Sequence, residues 1–479
     1  MFKLGKTEWF ILGLILISSV FLRFSQLGYS HFYGDETKTI YINKAIPAGQ
    51  FLLDQRKGPL QLMVVWVVEK ALGSVTELSA RVPFAIAGVL SVAIFYILVR
   101  KLFNWQTAII STLLFSLNGL FIAFSRIAQY QSFLILLGLL SVYLFILAVE
   151  KSKKLFFILS ALVLSGAFYF HYDAVFYLVP ILYLLYVYKK ENIITVKNFV
   201  TYFVFPLIIA LCAFFIPYIL KGYFEENTIG YIARRLVGKD YLPNNSLYTL
   251  YVYNPSWLFF IPFLAAFFAL LRPMNYRREM LLLWFLVPFI TFQFIVLNPG
   301  THIQNYLIPL FILSGYIFYE VYTVVAGKSL RYFYVTGISL YFLTIFYLLS
   351  GVYVPFLNNG YPWKGSNAIQ KNYNLFLYGF PYYRGWDQAA EYLKSVEGVR
   401  GVYTNDNDTM AQYYLRGYNY TPPGSNFIPH YYLRVMNNQE FRPTIPEFEP
   451  YIEGYYTLVK TIEVEDEKTI EIFKRTKTL

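Results

Sequence analysis

The chain has 479 residues, of which 57% are hydrophobic, 21% are aromatic and only 14% are charged. Soluble domains carry about 25% charged residues, so this composition excludes a water-soluble globular protein and indicates a polytopic α-helical membrane protein. The formal net charge of +12 does not indicate nucleic-acid binding, because the basic residues lie in short clusters between apolar runs, where they act as topology signals.

Apolar runs recur along the chain, and most are long enough to cross roughly 30 Å of hydrocarbon. This length criterion predicts about eleven transmembrane helices. Their expected ranges are 8–26, 82–99, 106–125, 131–149, 155–170, 174–188, 199–220, 255–271, 280–297, 304–325 and 332–350. Lysines and arginines cluster in alternate connectors, as at 151–154 and 189–197. The positive-inside rule therefore predicts a cytoplasmic N-terminus, and an odd number of spans places the C-terminal segment outside the cell membrane.

Two connectors of the predicted outer face are longer than the others. The first, residues 27–81, contains "HFYGDETKTIYINKA" (31–45) and "PLQLMVVWVVEKALG" (59–73). The second of these stretches is apolar at helical spacing but too short to span, which predicts an interfacial helix. Residues 221–254 are polar and rich in tyrosine and are expected to form the other long outer loop.

The composition turns polar from about residue 351. We therefore predict a transmembrane domain over 1–350 and a small extracytoplasmic α/β domain over 351–479. Capping residues and alternating apolar patterns predict the elements of the second domain. They are helices at 385–396 and 408–417, a strand at 399–405, and a closing hairpin of 456–464 with 469–475.

Ionisable side chains at a membrane surface cost several kcal/mol to desolvate unless they are paired or used, so those of the outer face are functional candidates. They are Asp35, Glu36, Asp54, Arg81, Arg126, His171, Asp173, Arg234, Arg235 and His302. A carboxylate can act as a general base toward an alcohol or amine, and arginine binds phosphate through two parallel hydrogen bonds. A substrate that joins a phosphate to a long lipid would use both groups.

The order of five motifs resembles a known family. They are "GDETKTIYINKAI" (34–46), "RKGPLQLMVVWVVEKALG" (56–73), "SARVPFAIAGVL" (79–90), "SRIAQYQSF" (125–133) and "THIQNYLIPL" (301–310). Together they resemble the polyprenyl-phosphate-sugar-dependent glycosyltransferases of the GT-C membrane class. The most similar branches are the dolichyl-phosphate-mannose–protein mannosyltransferases and the bacterial lipid A aminoarabinose transferases. The resemblance covers residues 7–190 and, less fully, 300–320.

The resemblance implies a GT-C fold and the transfer of a sugar from a polyprenyl-phosphate donor to a protein, lipid or glycan acceptor. It implies that Asp35, with its neighbour Glu36, supplies the catalytic carboxylate. It also implies that Arg126 lies at the donor phosphate and that His302 and Tyr306 lie in a segment facing the donor.

Further candidates come from the residues themselves. The aminoarabinose branch carries Glu-Lys-Pro before its interfacial helix, with the glutamate as a metal ligand, where this chain has "QRKGP" (55–59). Lys57 is therefore expected to supply positive charge at the phosphate, together with Arg234 or Arg235, and His171 is a further site candidate. The sequence leaves a divalent metal open, with Asp35 and His302 as candidate ligands. Cys212, the only cysteine, excludes a disulfide framework and a cysteine-type metal site.

Structural alternatives remain open for these residues. Asp35 can cap a helix, Arg126 can snorkel to the interface, and the Arg234–Arg235 pair can face lipid headgroups. Arg81 is expected to end a helix or to pair with Glu77 or Asp54.

The competing function is a transporter or flippase of lipid-linked glycans. Such a protein should show repeated halves and charges at mid-membrane, whereas the charges here gather at one interface. A structural membrane protein without chemistry is a third possibility, and it leaves the placement of Asp35, Glu36 and Arg126 unexplained.

Overall fold

The computed structural model describes residues 5–32, 34–40, 46–55, 57–237, 246–254, 256–269, 271, 273–297, 299–360, 379–420, 428–436 and 454–476. Over these residues the chain is mostly helical and ends in a small sheet. The helices are α1 (Lys6–Phe24), α2 (Gly34–Thr37), α3 (Ala48–Leu53), α4 (Leu60–Leu72), α5 (Glu77–Leu102), α6 (Trp105–Ser116), α7 (Gly119–Ser125), α8 (Gln131–Glu150), α9 (Lys154–Phe170), α10 (Leu178–Lys190), α11 (Val196–Phe199), α12 (Phe205–Leu220), α13 (Gly230–Val237), α14 (Ser246–Tyr253), α15 (Ile261–Ala269), α16 (Tyr276–Ile290), α17 (Gln304–Val324), α18 (Lys328–Tyr353), α19 (Trp386–Ser395) and α20 (Asp408–Tyr414). Short 3₁₀ or π turns cover Tyr172–Tyr177, Val200–Val204, Phe224–Ile229, Trp257–Phe260, Thr291–Ile295 and Pro355–Leu357.

Among the described residues, seven helices are long and apolar enough to cross a membrane, and α6 with α7 makes an eighth if this bent pair is one span. The seven are α1, α5, α8, α11 continued through α12, α16 with the turn that follows it, α17 and α18. Helix α9 and the segment Trp257–Ala269 are apolar but shorter. Every predicted apolar run overlaps a helix, which confirms a polytopic helical membrane protein. The count of eleven crossings stays a prediction.

The bend between α6 and α7, which measures 66°, sets the position of residues 126–130. The side-chain oxygen of Asn118 caps α7 by accepting a hydrogen bond from the Leu120 N–H at 3.1 Å. The Gly119 N–H donates to Oδ1 of Asn254 at 2.5 Å. A Cβ on Gly119 would lie 1.8 Å from the carbonyl oxygen of Tyr253, so only glycine allows this close approach. The chain leaves α7 at Ser125 and turns across the end of the helix bundle before α8.

The two long connectors are largely helical. Helix α4 forms where the interfacial helix was predicted and ends at Gly73 in the left-handed conformation, with φ of 74°, as helix C-termini commonly do. The segment 221–254 differs from the predicted loop, because Phe224–Ile229, α13 and α14 are helical. In α13 the ring of Tyr231 is buried while Ile232 is exposed, so this helix packs one face against the protein.

The C-terminal sheet has the strand order β1-β2-β4-β3, with β1 (Val402–Thr404), β2 (Tyr431–Val435), β3 (Tyr456–Val464) and β4 (Glu467–Arg475). Strand β2 pairs in parallel with β1 and antiparallel with β4. The predicted helices α19 and α20, strand β1 and the β3–β4 hairpin are present. The central strand β2 was missed, because it is buried on both faces and so lacks the alternating pattern that marks a half-exposed strand.

The C-terminal domain (described residues 379–420, 428–436 and 454–476), which we call the outer domain after its predicted side of the membrane, is joined to the first connector through buried polar contacts. The guanidinium of Arg384, 1% exposed, donates to the Phe32 carbonyl at 3.1 Å and pairs with Asp406 at 3.4 Å. His31 accepts a hydrogen bond at Nδ1 from the Arg384 N–H at 3.0 Å, and its Nε2 lies 3.2 Å from Oδ1 of Asp387. These contacts place the domain against the residues that lead into α2.

Two tyrosines of α20 complete this interface. The Tyr414 hydroxyl accepts a hydrogen bond from the Phe32 N–H at 2.7 Å and donates to Glu77 at 2.5 Å. The Tyr413 hydroxyl donates to the Val75 carbonyl at 2.7 Å. Helix α20 therefore fastens together the residues before α2 and the residues that open α5.

Candidate active site

Glu36, one of the two adjacent acids, is fully buried. Its carboxylate accepts two hydrogen bonds from Arg81, each of 2.8 Å, and a third of 2.8 Å from the Ala128 N–H. Arg81 also donates to the carbonyls of Leu27, Ser30 and His31. The expected partners of Arg81 were Glu77 or Asp54, and the partner is Glu36. This geometry favours a structural role for Glu36 and argues against the predicted catalytic one.

Asp35 lies in a different environment from its neighbour. It lies in the first turn of the short helix α2 with its side chain 40% exposed, and its Oδ1 lies 2.6 Å from the Lys38 ammonium. Because Glu36 is bound to the Ala128 N–H, Asp35 is held beside the residues that connect α7 to α8. An exposed carboxylate at that place can accept a proton from a bound acceptor.

Arg126 is buried, with 4% exposure, and two of its guanidinium nitrogens donate to backbone carbonyls. They bind Leu22 at 3.0 Å and Ser25 at 3.1 Å, at the end of α1. A cation at a helix C-terminus satisfies the last carbonyls and the helix dipole. This geometry argues against the predicted contact between Arg126 and a donor phosphate.

A cluster of two histidines and one aspartate, which we call the His171–Asp173–His302 cluster, lies where three helix ends meet. His171 follows the last residue of α9, Asp173 lies in the turn before α10, and His302 precedes α17. All three residues are buried, and their candidate ligand atoms lie within 4.8 Å of one another. The motif at 301–310 singled out His302, and His171 was a further site candidate, but Asp173 was only one of four candidate outer-face acids. Its spacing of two residues from His171 was the available signal.

Asp173 is the centre of a hydrogen-bond network. Its Oδ2 lies 2.7 Å from Nδ1 of His302 and accepts from the side-chain amides of Gln304 at 3.1 Å and Asn305 at 2.9 Å. Its Oδ1 lies 3.0 Å from Nδ1 of His171. The carboxylate therefore orients both imidazole rings through the same nitrogen of each ring.

Burial fixes the protonation states of this network. Burial lowers the pKa of His171 to about 3, with the nearby Asp173 opposing the change. Burial by itself would raise the pKa of Asp173, but its electrostatic interactions and hydrogen bonds with the His302 and His171 rings hold it well below its usual range. At neutral pH, His171 is neutral and Asp173 is a carboxylate, which are the states that metal binding requires.

The residues of the cluster fit a divalent metal ion. Nδ1 of His171 lies 3.0 Å from one Asp173 oxygen and Nδ1 of His302 lies 2.7 Å from the other, so the donor atoms of the three side chains face one another. Imidazole nitrogens with one carboxylate form a donor set that suits Zn²⁺. The predicted metal candidates were Asp35 and His302, and His302 is the one that belongs to this cluster.

Lys57 lies next to the cluster. Its ammonium lies 4.3 Å from the centre of the Tyr130 ring, and that ring stacks on His171 with 4.1 Å between centroids. The lysine is held there by Gly58, because a Cβ on Gly58 would lie 1.8 Å from the Tyr169 carbonyl oxygen, near the end of α9. The first connector therefore packs so closely against the end of α9 that only glycine fits at position 58.

The three remaining site candidates, Arg235, Arg234 and Tyr306, lie in different environments. Arg235 packs its guanidinium over Tyr231 at 5.2 Å, and one of its terminal nitrogens lies 3.2 Å from where a Cβ on Gly300 would be, two residues before His302. Arg234, one residue earlier in the chain, is exposed. Tyr306 is fully buried, and its ring packs against Phe289 with 5.4 Å between centroids. The structure thus places Arg235 beside the cluster and Tyr306 in the helix core.

Two solved structures have a similar architecture. ArnT from Cupriavidus metallidurans, in its crystal structure bound to undecaprenyl phosphate, superposes with a TM-score of 0.62 at 12% identity, over 98% of both chains. The Archaeoglobus fulgidus oligosaccharyltransferase in complex with Zn and sulfate superposes with a TM-score of 0.50 at 15% identity, over 88% of this chain and 58% of that one. The fold is that of the GT-C glycosyltransferases, as the sequence predicts.

Sequence comparisons give a family match and one relative. Residues 56–219 match the family of the dolichyl-phosphate-mannose-protein mannosyltransferases. An uncharacterized protein from Aquifex aeolicus (strain VF5) is 31% identical over 169 residues, which is 32% of this chain and 33% of that protein, so the match spans about a third of that relative. These matches show the fold and a family resemblance over about a third of the chain, and transfer from a polyprenyl-phosphate-sugar donor stays a proposal. The transporter alternative finds no support in these matches.

Proposed function

We propose that this protein transfers a sugar from a polyprenyl phosphate to an acceptor hydroxyl or amine at the membrane surface where α2 and the His171–Asp173–His302 cluster lie. One observation carries the proposal. Two histidines and a buried carboxylate lie together at the ends of α9, α10 and α17, next to Tyr130, which contacts Lys57 of the connector that also holds Asp35. A charged phosphate on an apolar tail fits such a place, because its head meets cations while its tail enters the helix bundle.

In this reaction the bond between the anomeric carbon and the phosphate oxygen breaks, and a bond between that carbon and the acceptor forms. Asp35 takes the proton that the acceptor loses. The polyprenyl phosphate leaves with the bonding electrons, so negative charge grows on its oxygen. Fixed positive charges aimed at that oxygen stabilise the transition state more than the ground state.

Lys57 is the principal phosphate ligand in this proposal. Its ammonium is held over Tyr130, where the close packing of Gly58 keeps its position fixed. Arg235, beside Gly300, supplies a second cation, and Arg234 a more exposed one. Arg126 contributes through the fold, because its guanidinium binds the end of α1.

The His171–Asp173–His302 cluster would hold a divalent metal. Such an ion, when bound, supplies a Lewis acid that lowers the charge on the leaving phosphate. The two imidazoles and the Asp173 carboxylate would be its ligands, and Gln304 and Asn305 keep that carboxylate in place. Hydrogen bonds that hold metal ligands in position tune metal affinity by about 10–100-fold.

A direct assay tests the proposal. Purified protein in detergent, supplied with radiolabelled polyprenyl-phosphate sugars and a membrane extract, should move label from one of the lipids into an acceptor. Asp35→Asn should abolish transfer while binding of the labelled lipid persists. Asp54→Asn, which changes an exposed acid of the same connector, should leave transfer unchanged. Full turnover by Asp35→Asn would remove Asp35 from the mechanism, and no transfer from any lipid of the panel would overturn the function.

Metal binding is tested separately from turnover. Protein dialysed against ZnCl₂ and then desalted should retain about one equivalent of zinc by mass spectrometry. Retention should be lost in His302→Ala. His430→Ala, in the outer domain, is the matched control and should retain zinc. Equal retention by both variants would contradict the metal site.

A further inference from the structure

A polar cavity of about 330 Å³ lies between the membrane body and the outer domain. It is formed by Tyr29 after α1, by residues following α18, by Pro381–Tyr383, and by the end of the β3–β4 hairpin. It shares no residue with the His171–Asp173–His302 cluster. Its volume lies at the small end of the range for small-molecule sites, about 300–1,000 Å³, which suits a ligand of one or two rings.

The cavity wall carries three tyrosines, Tyr29, Tyr382 and Tyr383. The rings of Tyr29 and Tyr383 lie 5.7 Å apart and are inclined by 40°. The hydroxyl of Tyr383 donates to the Asp387 carboxylate at 2.6 Å, which fixes that ring. Tyrosine offers a rigid apolar face and a polar edge at a low entropy cost. A ligand with CH-rich faces and hydroxyl edges uses both surfaces.

The hairpin adds carboxylates to the same cavity. Glu465 accepts a hydrogen bond from the Tyr29 hydroxyl at 3.3 Å, and Glu467 also lines the space. The described lining residues include no lysine or arginine, although the chain as a whole has a net charge of +12. The cavity therefore disfavours phosphates and acidic sugars and favours hydroxyl or ammonium donors.

The backbone of this hairpin turn points to a function for its acid. Glu465 and Asp466 form the two-residue turn between β3 and β4, with φ of 52° and 64°. Such turns favour Asn-Gly or Asp-Gly, because a positive φ is unfavourable for most other residues. A glutamate in this conformation is therefore held at an energetic cost. Here the strained residue carries the carboxylate that meets Tyr29.

We propose that this cavity binds one sugar unit of an uncharged or amino-bearing glycan. Tyrosine faces would stack on the sugar ring, and the carboxylates of Glu465 and Glu467 would accept hydrogen bonds from its hydroxyl or ammonium groups. The site differs chemically from the phosphate site near Lys57, because its described lining carries carboxylates and no lysine or arginine. Binding at this cavity does not depend on the transfer reaction, so the two proposals stand or fall separately.

Saturation-transfer NMR on the full chain in detergent, without any lipid donor, tests the site. The probes are mannobiose, chitobiose, glucosamine and, as the anionic comparison, mannose 6-phosphate. Saturation should pass to the ring protons of at least one of the first three sugars, and mannose 6-phosphate should receive less. Tyr29→Ala should weaken binding about fivefold or more, and Glu465→Gln should weaken the amino sugar most.

Matched controls keep the result decisive. Tyr347→Ala removes a tyrosine that is 76% exposed on α18, and Glu397→Gln changes an exposed acid of the outer domain. Both should bind as the unmodified protein does. If Tyr29→Ala fails to fold, Val464→Trp, which fills the cavity from β3, should give the same loss. Absence of saturation for all sugars, unchanged binding in the cavity variants, or binding of a lysine dipeptide in place of any sugar would overturn the proposal.

Discussion

Adjacent residues can have opposite roles, and Asp35 and Glu36 are an example. The family resemblance favours Asp35 as the catalytic carboxylate and names Glu36 as its neighbour, but nothing in "GDET" itself distinguishes the two acids. The structure gives Glu36 three hydrogen bonds and no exposure, while Asp35 remains 40% exposed beside Lys38. The catalytic proposal therefore rests on Asp35, and Glu36 holds the connector in place.

Glu36→Gln should destabilise the protein without removing a group that takes part in the reaction. Removing one partner of a buried ion pair leaves Arg81 uncompensated and typically costs about 3–5 kcal/mol. We expect a clear fall in the apparent Tm of the detergent-solubilised protein. Asp35→Asn, which alters a surface ion pair worth about 0–1 kcal/mol, is the control and should keep its Tm. Equal Tm values for both variants would contradict the structural role of Glu36.

At the scale of elements, the helix ends and the connectors between them make the site. The helices were predictable from hydropathy, but the meeting of the 54–59 connector with α9 was not, because it depends on one glycine. A side-chain Cβ at position 58 would lie only 1.8 Å from the Tyr169 carbonyl oxygen. The sequence "QRKGP" shows the glycine without showing what it faces.

Gly58→Ala should lower transfer activity far more than it lowers binding of the lipid tail. The added methyl group cannot fit, so the connector must move and carry Lys57 away from Tyr130. Initial rates with the labelled lipid measure the effect. Gly49→Ala is the matched control, because nothing lies within 4 Å of its Cβ position and alanine favours the helix α3. A Gly58→Ala enzyme with normal rates would show that the position of Lys57 is unimportant.

The interface between the outer domain and the first connector should weaken in acid. Burial lowers the pKa of His31 below its ordinary value near 6.5, with a smaller effect of Arg384 in the same direction and opposing effects of Asp387 and Glu77. The unfolded state therefore binds a proton below about pH 6.5 that folded His31 does not bind, and stability falls as pH falls. The hydrogen bond from His31 lowers the pKa of Asp387, which adds a further loss at still lower pH.

The apparent Tm, measured between pH 7.5 and 5.5, checks this expectation. It should fall over that interval in the unmodified protein and fall less in His31→Gln, which cannot take up a proton. Identical slopes for the two proteins would show that other groups cause the pH dependence.

At the scale of the whole molecule, the orientation in the membrane decides the enzyme assignment. The alternation of basic connectors predicts that α2 and the outer domain lie outside the cell and that the N-terminus lies in the cytoplasm. The fold similarity to ArnT covers 98% of both chains and supports a multi-pass membrane protein. The side of the membrane on which each terminus of this chain lies stays a prediction.

Cysteine labelling tests that orientation. In a Cys212→Ala background, Lys38→Cys should react with a membrane-impermeant maleimide in intact cells, because Lys38 is 51% exposed in the first connector. Lys153→Cys, in the connector between α8 and α9, should react only after the membrane is opened. The reverse pattern would place Asp35 on the cytoplasmic side and remove the proposed reaction from the outer face.

The sequence by itself determined the membrane class, the helices and the family resemblance, because hydrocarbon forces each spanning segment to satisfy its own backbone hydrogen bonds and so leaves a local signature. The tertiary structure decided which charges are used for folding and which remain for chemistry. Asp173 meets His302 across 129 residues, and Arg81 meets Glu36 across 45. No local pattern records such pairs, since they form only when helix ends that are distant in sequence pack together.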